Sequence, residues 1–342
     1  MDQIKEYYQR WCDMPQPRKI RAIKLIAFAC YFLFLFLLVV YAFGRTGARA
    51  STIVPTVLFT DGTPYNTEII RYLTQRRDVV LCMIVLNNNS LAVEKLFSSR
   101  GNVDLILGAL QAEGYTRTVP VYTSETSSLD NFELPLEEVL AKQSVNFVIV
   151  GPCTEAAHFL SEHPTRRSNV VDIFVAGGAF NEAGNANYLF SMNTKAERNF
   201  YMDPAAAGYI MAATHGRPVT LFPIDVTATW TRDAYTAIVS NPSSAATSVE
   251  MVATGLQWYY TSVDSTRRTT VGLMAAAYAS DAQVRQKAVY TSIPVYVRTT
   301  ETNTTKGESY RPASGTPVRV VLSVAEDTFF SHLVRVDKLP LV

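Results

Sequence analysis

The chain contains few of the residues that mark common catalytic and metal-binding motifs. Its 342 residues include only four cysteines and four histidines. No two cysteines have the C-x-x-C spacing of a zinc site, and their scattered positions indicate no disulfide framework. The charges are almost balanced, with 31 Lys and Arg against 30 Asp and Glu. Because phosphate binding requires clustered positive charge in excess, this balance argues against a nucleic-acid partner.

Other signatures are missing as well. The sequence has no H-x-x-x-H pair, no G-x-G-x-x-G loop and no G-K-[ST] motif. Neither a zinc hydrolase nor a nucleotide-phosphate site is therefore indicated, and we expect no cofactor. The histidines are expected at the surface or at helix ends; they are His158, His163, His215 and His332.

A long hydrophobic run is present near the N-terminus. It covers Leu25 to Phe43, 19 residues without a charge. As a helix it would span roughly 28 Å, which is enough to cross a bilayer. A cleaved signal peptide is the alternative, since Ala48-Arg49-Ala50 offers a cleavage site, but the run is longer than the usual signal core. We predict a transmembrane helix at 25–43, between a basic and aromatic tail at 1–24 and a linker at 44–53.

The charges around this run predict its orientation. Six basic residues precede it, and only Arg45 and Arg49 closely follow it. By the positive-inside rule, the tail stays in the cytoplasm or matrix and the globular domain lies on the opposite side of the membrane. Residues Asp2 to Cys12 are expected to form an amphipathic helix at the membrane interface, with a solvated tail as the alternative.

From Val54 onward, apolar runs alternate with helical patterns at βαβ spacing. The predicted strands are Val54–Phe59, Val79–Leu86, Val119–Tyr122, Val145–Val150, Val171–Ala176 and Val219–Phe222. The predicted helices are Asn66–Gln75, Asn102–Ala112, Pro135–Lys142, Thr154–Glu162 and Pro204–Thr214. Such continuous apolar strands suit a sheet that is buried on both faces. The pattern predicts a mostly parallel, doubly wound α/β sheet with flanking helices, with its site at the carboxyl ends of the strands.

The C-terminal part is less regular. Residues 297–317 are rich in Thr, Ser and Gly and predict a long loop or hairpin. Val318–Val324 and His332–Val336 are predicted to add antiparallel edge strands. With 48% hydrophobic residues, the chain can bury one large core, and a single domain at 54–342 of about 290 residues is within the usual range.

Several segments occur in an order that resembles one enzyme family. The most specific is residues 197–207, Glu-Arg-Asn-Phe-Tyr-Met-Asp-Pro-Ala-Ala-Ala, which is similar to Glu-Phe-Asn-x-x-x-Asp-Pro-x-Ala-Ala. Further matching segments are 57–66, 79–89, 145–157, 171–185 and 219–227. On these segments the chain resembles the inosine-uridine-preferring nucleoside hydrolases over roughly residues 54–340.

The resemblance implies an active site that is altered here. The family holds calcium with the motif D-x-D-P-G-x-D-D, and the matching segment is 59–66. In this segment Asp61 is the one carboxylate, because the other three Asp positions are occupied by Phe59, Tyr65 and Asn66. Val150 matches a backbone carbonyl ligand. Later in the chain, Val271 and Gly272 take the places of the leaving-group His and the last calcium Asp.

Some ribose-side positions of the family remain. These are Glu197, Asn199 and one of Asn88 or Asn89. They form either a residual ribose pocket or, as we favour, turn and strand-end residues that bond neighbouring backbone groups. Arg198 stands where the family has Phe, and it is expected to fill the old pocket or to pair with Asp61.

A single carboxylate cannot offset the dehydration of a cation that normally takes six to eight oxygen ligands. We therefore expect no bound metal, no small-molecule substrate and no catalysis. The leading hypothesis is a structural accessory subunit of a membrane complex, such as an ATP synthase or respiratory complex of the mitochondrial inner membrane, with lipid contacts at the anchor. Its tail would lie in the matrix and its domain in the intermembrane or cristae space.

Two other hypotheses stay open. One is a membrane-anchored nucleoside or ribose binder, or a divergent nucleoside hydrolase. The other is a type II protein of the secretory pathway, which would carry a glycan at Asn303 in the sequon Asn303-Thr304-Thr305.

Overall fold

The computed structural model describes residues 11–13, 15–18, 54–76, 79–87, 99–112, 114–124, 131–186, 193–227, 270–299 and 304–337. The chain divides into two compact units, Met1–Thr52 and Ile53–Val342. The predicted anchor at 25–43 lies outside the described residues, as do Asn88, Asn89 and Asn303. None of the described helices has the length and apolar character needed to cross a membrane.

Ten strands are assigned within the described residues. They are β1 Val54–Thr60, β2 Val79–Leu86, β3 Val121–Thr123, β4 Val145–Ile149, β5 Val170–Ala176, β6 Val219–Phe222, β7 Ala288–Pro294, β8 Tyr296–Val297, β9 Ser309–Tyr310 and β10 Pro317–Val324. Eight of them form the main sheet in the order β3-β2-β1-β4-β5-β6-β10-β7. All neighbours are parallel except β10 and β7, which are antiparallel. The short strands β8 and β9 form a separate antiparallel pair.

Helices connect these strands. They are α1 Pro64–Gln75, α2 Ser99–Ala112, α3 Glu133–Lys142, α4 Thr154–Glu162, α5 Arg198–Met202, α6 Pro204–Met211, α7 Thr270–Ser280, α8 Ala282–Lys287 and α9 Glu326–Asp337. Local sequence explains several of their starts. Proline occupies the first turn of α1 and of α6, where its missing N–H costs no hydrogen bond. The carboxylates of Asp203 and Asp281 cap α6 and α8.

The central strands of the sheet are buried on both faces. Because side chains alternate along a strand, Leu58 of β1 belongs to the core that includes Ile69 of α1, while its neighbour Val57 belongs to the core that includes Phe159 of α4 and Ile210 of α6. Helices thus cover both faces, which is the doubly wound α/β architecture that the apolar strands predicted.

Most of the predicted elements are confirmed, and those near the C-terminus are partly wrong. The segment 297–317 does contain a hairpin, formed by β8 and β9. However, β10 lies inside the sheet, parallel to β6, and the antiparallel edge strand is β7. Residues 332–336 are helical, within α9. The run was too short to separate strand from helix by its pattern, and the buried side chains Phe329 and Phe330 hold it against the core as a helix.

His332 also differs from expectation. It is buried and contacts the side chains of Tyr72 and Asp281, so it is neither a surface nor a capping histidine. The other histidines behave as predicted. For example, His163 is the residue that ends α4.

The order of the described strands reverses direction next to β1. The chain winds outward from β1 through β2 to β3 on one side, and from β4 through β5 to β6 on the other. In open α/β sheets, ligands bind outside the carboxyl ends of the strands where this direction reverses. The reversal here lies between β1 and β4, whose carboxyl ends lead into Asp61 and Val150.

Candidate functional site

The residues matched to the metal site meet at this reversal point. Asp61 follows β1, Asn66 lies in the first turn of α1, Val150 follows β4 and Arg198 begins α5. Gly151 permits the close approach of β1 and β4, because a Cβ atom at this position would lie 2.7 Å from the backbone nitrogen of Asp61. No side chain fits at that distance without movement of the backbone.

Asp61 is almost fully buried and surrounded by donors. Its Oδ1 accepts hydrogen bonds from the backbone N–H of Thr63 at 3.1 Å, from the hydroxyl of Thr63 at 2.9 Å and from Nδ2 of Asn66 at 2.6 Å. Its Oδ2 accepts from Nη1 of Arg198 at 2.8 Å. Burial acts to raise the pKa of Asp61, but the Arg198 charge and the hydrogen bonds from Arg198 and Thr63 outweigh it and leave the pKa below its usual value. The pairing of Arg198 with Asp61, one of the two alternatives from the sequence, is confirmed.

The backbone carbonyl of Val150 also accepts hydrogen bonds from nearby side chains. Its oxygen accepts from Nδ2 of Asn66 at 3.1 Å and from Nδ2 of Asn199 at 3.3 Å. Asn66 thus lies between two acceptors, a carboxylate and a carbonyl, so its amide nitrogen, and not its amide oxygen, must face them. The family's position for a metal-binding carboxylate therefore holds a hydrogen-bond donor.

This donor set does not fit a calcium ion. A carboxylate offers about four acceptor positions and a carbonyl two. Protein donors already bond all of these oxygens: three bond Oδ1 of Asp61, one bonds Oδ2, and two bond the carbonyl of Val150. Calcium needs six to eight oxygens, and the guanidinium of Arg198 places a positive charge where the cation would need a ligand. Across the described residues, no three His, Cys, Asp or Glu side chains are arranged to hold a metal.

Gly272 lies where the resemblance implied. A Cβ atom at this position, in α7, would lie 3.0 Å from Cδ1 of Ile69, 3.5 Å from Oδ1 of Asn66 and 3.5 Å from Cβ of Val150. A side chain at position 272 would therefore point at the site, but glycine contributes no ligand. The neighbouring Val271 is buried and apolar, and it has no proton to give to a leaving group.

Glu197 and Asn199 have backbone partners. Oε2 of Glu197 accepts from the N–H of Phe200 at 3.2 Å and from that of Gly178 at 3.3 Å, which caps the N-terminus of α5. Burial raises the pKa of Glu197 to about 7, although backbone hydrogen bonds and the Arg198 charge oppose this shift. Besides Val150, Nδ2 of Asn199 donates to the carbonyl of Ala176 at 3.0 Å. These contacts are the backbone hydrogen bonds that we expected if both side chains stabilise turns and strand ends.

Some residues at this edge were not anticipated. Nδ2 of Asn87, directly after β2, donates to Oε2 of Glu155 in the first turn of α4, and both side chains are buried. Oδ1 of Asn185 accepts from the backbone N–H of Arg198 at 2.7 Å and so anchors the start of α5. For Asn87, its place directly after a strand of a parallel sheet was the available signal. Among the predicted pocket residues, Asn88 and the side chain of Tyr65 lie outside what the structure describes.

Comparison with known proteins adds to this geometry. A family model described as inosine-uridine preferring nucleoside hydrolase matches residues 113–331. The chain is 39% identical over 83 residues to the pyrimidine-specific ribonucleoside hydrolase RihA of Shewanella woodyi, which is 24% of this chain and 24% of RihA. It is 33% identical over 87 residues to RihA of Klebsiella pneumoniae, 25% of each chain. These alignments span only about a quarter of each curated relative.

Solved structures agree over a longer stretch. The inosine-uridine preferring nucleoside hydrolase of Bacillus anthracis has a TM-score of 0.63 at 17% identity, covering 83% of this chain and 99% of that one. A plant nucleoside hydrolase, PpNRh1, has a TM-score of 0.65 at 17% identity, covering 84% and 100%. At this identity the likeness shows the shared fold.

Proposed function

Because the chain belongs to the inosine-uridine preferring nucleoside hydrolase family, we propose that it is a catalytically inactive member whose fold serves as a structural accessory subunit of a membrane complex. The observation that carries this proposal is that the chain's own donors bond each of the site's oxygens. Thr63, Asn66, Arg198 and Asn199 donate to the two carboxylate oxygens of Asp61 and to the carbonyl oxygen of Val150.

Each of the three groups that the family's reaction needs is altered or replaced in this chain. Hydrolysis of a ribosyl C–N bond needs a carboxylate to activate water, a cation to position that water and the ribose diol, and a group that stabilises the departing base. The carboxylate of Asp61 is paired with Arg198. A cation would compete with protein donors for each oxygen of Asp61 and Val150, and Val271 stands in place of the acid. Loss of the metal and the acid together removes several kcal/mol of transition-state stabilisation.

An assay of ribose release tests the inactivity. The full-length chain in mild detergent is incubated with inosine and with uridine, with calcium or with EDTA, and RihA of Shewanella woodyi serves as the positive control on uridine. We expect no release above the rate without protein. Release that depends on protein concentration and is abolished by Asp61→Asn would overturn the proposal.

The membrane role rests on the N-terminal sequence. The uncharged run at 25–43 would anchor the chain. The basic residues before it favour a tail in the cytoplasm or matrix and a domain on the opposite side of the membrane. Among the described residues, Cys82 and Cys153 form no disulfide, whereas secreted domains more often carry disulfides. We place the complex in the mitochondrial inner membrane.

Native electrophoresis tests the complex. Source membranes are solubilised in mild detergent, separated on a blue-native gel, and the band that contains this chain is identified by mass spectrometry. Migration with a large assembly supports the accessory-subunit role and names its partners. Migration as a monomer rejects it.

A second candidate is a ribose or nucleoside binder, or a divergent hydrolase. It is favoured by the hydrolase relatives and by Glu197, a buried carboxylate with a pKa of about 7, which suits acid–base chemistry near neutral pH. Calorimetric titration with ribose and inosine tests this candidate. Saturable binding that Asn199→Ala abolishes would favour it over the structural role, and absence of binding would remove it.

A further inference from the structure

The site residues join four segments that are distant in sequence. Asp61 and Asn66 belong to the β1–α1 turn, Val150 follows β4, and Arg198 begins α5. Through Asn185, whose Oδ1 accepts from the Arg198 backbone N–H at 2.7 Å, the connection reaches the loop after β5. In the family, a cation bound at this point would draw the same strand ends together.

We propose that the cluster of Asp61, Asn66, Val150, Arg198 and Asn199, the switch-point cluster, is a built-in structural cross-link that replaces a bound cation. The guanidinium of Arg198 supplies the positive charge that neutralises Asp61. The amides of Asn66 and Asn199 supply directed bonds to the Val150 carbonyl. The carboxyl ends of β1 and β4 are therefore joined by side chains of the chain itself.

Burial makes this cross-link strong. The side chain of Asp61 is 2% exposed and that of Arg198 is 16% exposed. Removal of either partner from such a pair leaves a charge with poor access to water, and this costs far more than breaking an exposed pair. Arg198 donates to Oδ2 while Asn66 and Thr63 donate to Oδ1, so neither group substitutes for the other.

A double-mutant cycle measures the cross-link. The full-length chain in detergent is unfolded with urea as wild type, Asp61→Asn, Arg198→Met and the double variant. We expect the two single effects to be non-additive by at least about tenfold in the unfolding equilibrium constant. The control cycle uses Arg100 and Asp104, an exposed pair at 3.0 Å with 42% and 54% exposure, where we expect less than about fivefold. Additive effects at Asp61 and Arg198 would overturn the proposal.

Calcium provides a second test that needs no variant. If the cross-link replaces the cation, the unfolding midpoint of the wild type is the same in calcium and in EDTA. A midpoint that rises with calcium concentration would show that a cation still binds and stabilises the fold, and it would contradict the proposal even if Arg198→Met failed to fold.

The cross-link and the proposed function can fail separately. Strong coupling together with nucleoside hydrolysis would reject the inactive role and keep the cross-link. Additive effects without hydrolysis would reject the cross-link and keep the inactive role.

Discussion

Two buried ion-pair clusters lie near opposite ends of helix α1. The switch-point cluster includes Asn66 in the first turn of α1. The second cluster includes Tyr72, in the last turn, and Arg76, the residue that follows the helix. Arg76 is ten residues after Asn66, which corresponds to about 15 Å along the helix axis. Helix α1 runs from the carboxyl end of β1 back toward the amino end of β2. The first cluster therefore lies at the carboxyl ends of the parallel strands, where α/β sheets bind ligands, and the second lies toward their amino ends.

The second cluster, the helix-end network, consists of Tyr72, Arg76, Ser280, Asp281 and His332. Nη1 of Arg76 lies 3.1 Å from Oδ2 of Asp281, and Nδ1 of His332 lies 3.4 Å from the same oxygen. The hydroxyl of Tyr72 lies 2.6 Å from Nε2 of His332 and 3.0 Å from Oγ of Ser280. The network thereby joins α1, α7, α8 and α9.

The comparison of the two clusters shows that burial of charged residues does not by itself indicate a functional site. Both clusters are buried, charged and linked by hydrogen bonds and ion pairs, so neither burial nor a shifted pKa distinguishes a functional site from a structural network. The difference is position: only the switch-point cluster lies where α/β sheets bind ligands. In our proposal, loss of the metal converted it into a structural cluster of the same kind as the network at the other end of α1.

The largest effect is expected in the helix-end network. Asp281→Ala removes the partner of buried Arg76 and the cap of α8, where Oδ1 accepts from the N–H groups of Gln283 and Val284. We expect a loss of about 3–5 kcal/mol in the free energy of unfolding, measured by urea unfolding. Glu138→Ala is the control, because its pair with Lys142 is exposed, and it should change stability by about 0.5 kcal/mol or less. Equal effects would contradict the structural importance of the network.

A smaller effect is expected where β1 and β4 meet. Gly151→Ala places a methyl group 2.7 Å from the backbone nitrogen of Asp61, and the resulting shift should cost about 1–3 kcal/mol in unfolding free energy. Gly108→Ala in α2 is the matched control, since nothing lies within 4 Å of its added Cβ. It should stabilise the helix by about 0.5–1 kcal/mol. If both variants are stabilised, the result would contradict the close approach of β1 and β4 at Gly151.

The smallest expected effect is a trend with pH that has opposite signs at Asp281, in the helix-end network, and at Glu197, which precedes Arg198 of the switch-point cluster. Burial acts to raise the pKa of Asp281, but the charges of His332 and Arg76 and the cap hydrogen bonds leave it below 3.8. A lowered folded-state pKa gives stability that is present above the unfolded pKa and is lost as the pH falls. The disadvantage of Asp281→Asn relative to wild type should therefore shrink below about pH 4.

Glu197 behaves in the opposite sense. Burial raises its pKa from 4.5 to about 7, so its stabilising contribution is present below pH 4.5 and is lost as the pH rises toward 7. The stability of Glu197→Gln relative to wild type should increase over this range, because the neutral amide oxygen still accepts from Phe200 and Gly178. Thermal unfolding across the pH range measures both trends. A flat difference for Glu197→Gln would mean that the carboxyl stays ionised.

Much of the fold was predictable from the sequence, because the signals for these helices and strands lie within each segment. Strands β2 and β6 and helix α4 were predicted with their observed bounds, because uninterrupted apolar runs and amphipathic spacing are properties of the segment itself. The C-terminal elements were harder to predict from the sequence. The pattern around His332 suits a strand as well as a helix, and only contacts of Phe329 and Phe330 with the core decide between them.

The site was predictable in its residues and less so in its bonds. The order of motifs placed Asp61, Asn66, Val150 and Gly272 together, and the structure brings them together. Whether Arg198 filled the pocket or paired with Asp61 depended on the path of α5, which no local pattern reports. The contact of Asn87 with Glu155 was missed for the same reason, because its partners are separated by 68 residues.

The sequence by itself determined the family, the α/β alternation and the presence of Phe59, Tyr65 and Asn66 where the family's motif has Asp, because these depend on residue identity and spacing. Tertiary structure alone decided which contacts form at this site. Hydrogen-bond donors and acceptors are matched in space, and only the folded chain shows that Arg198 and the amides of Asn66 and Asn199 face Asp61 and Val150. The same holds for the helix-end network, where Arg76 and Asp281 meet across 205 residues.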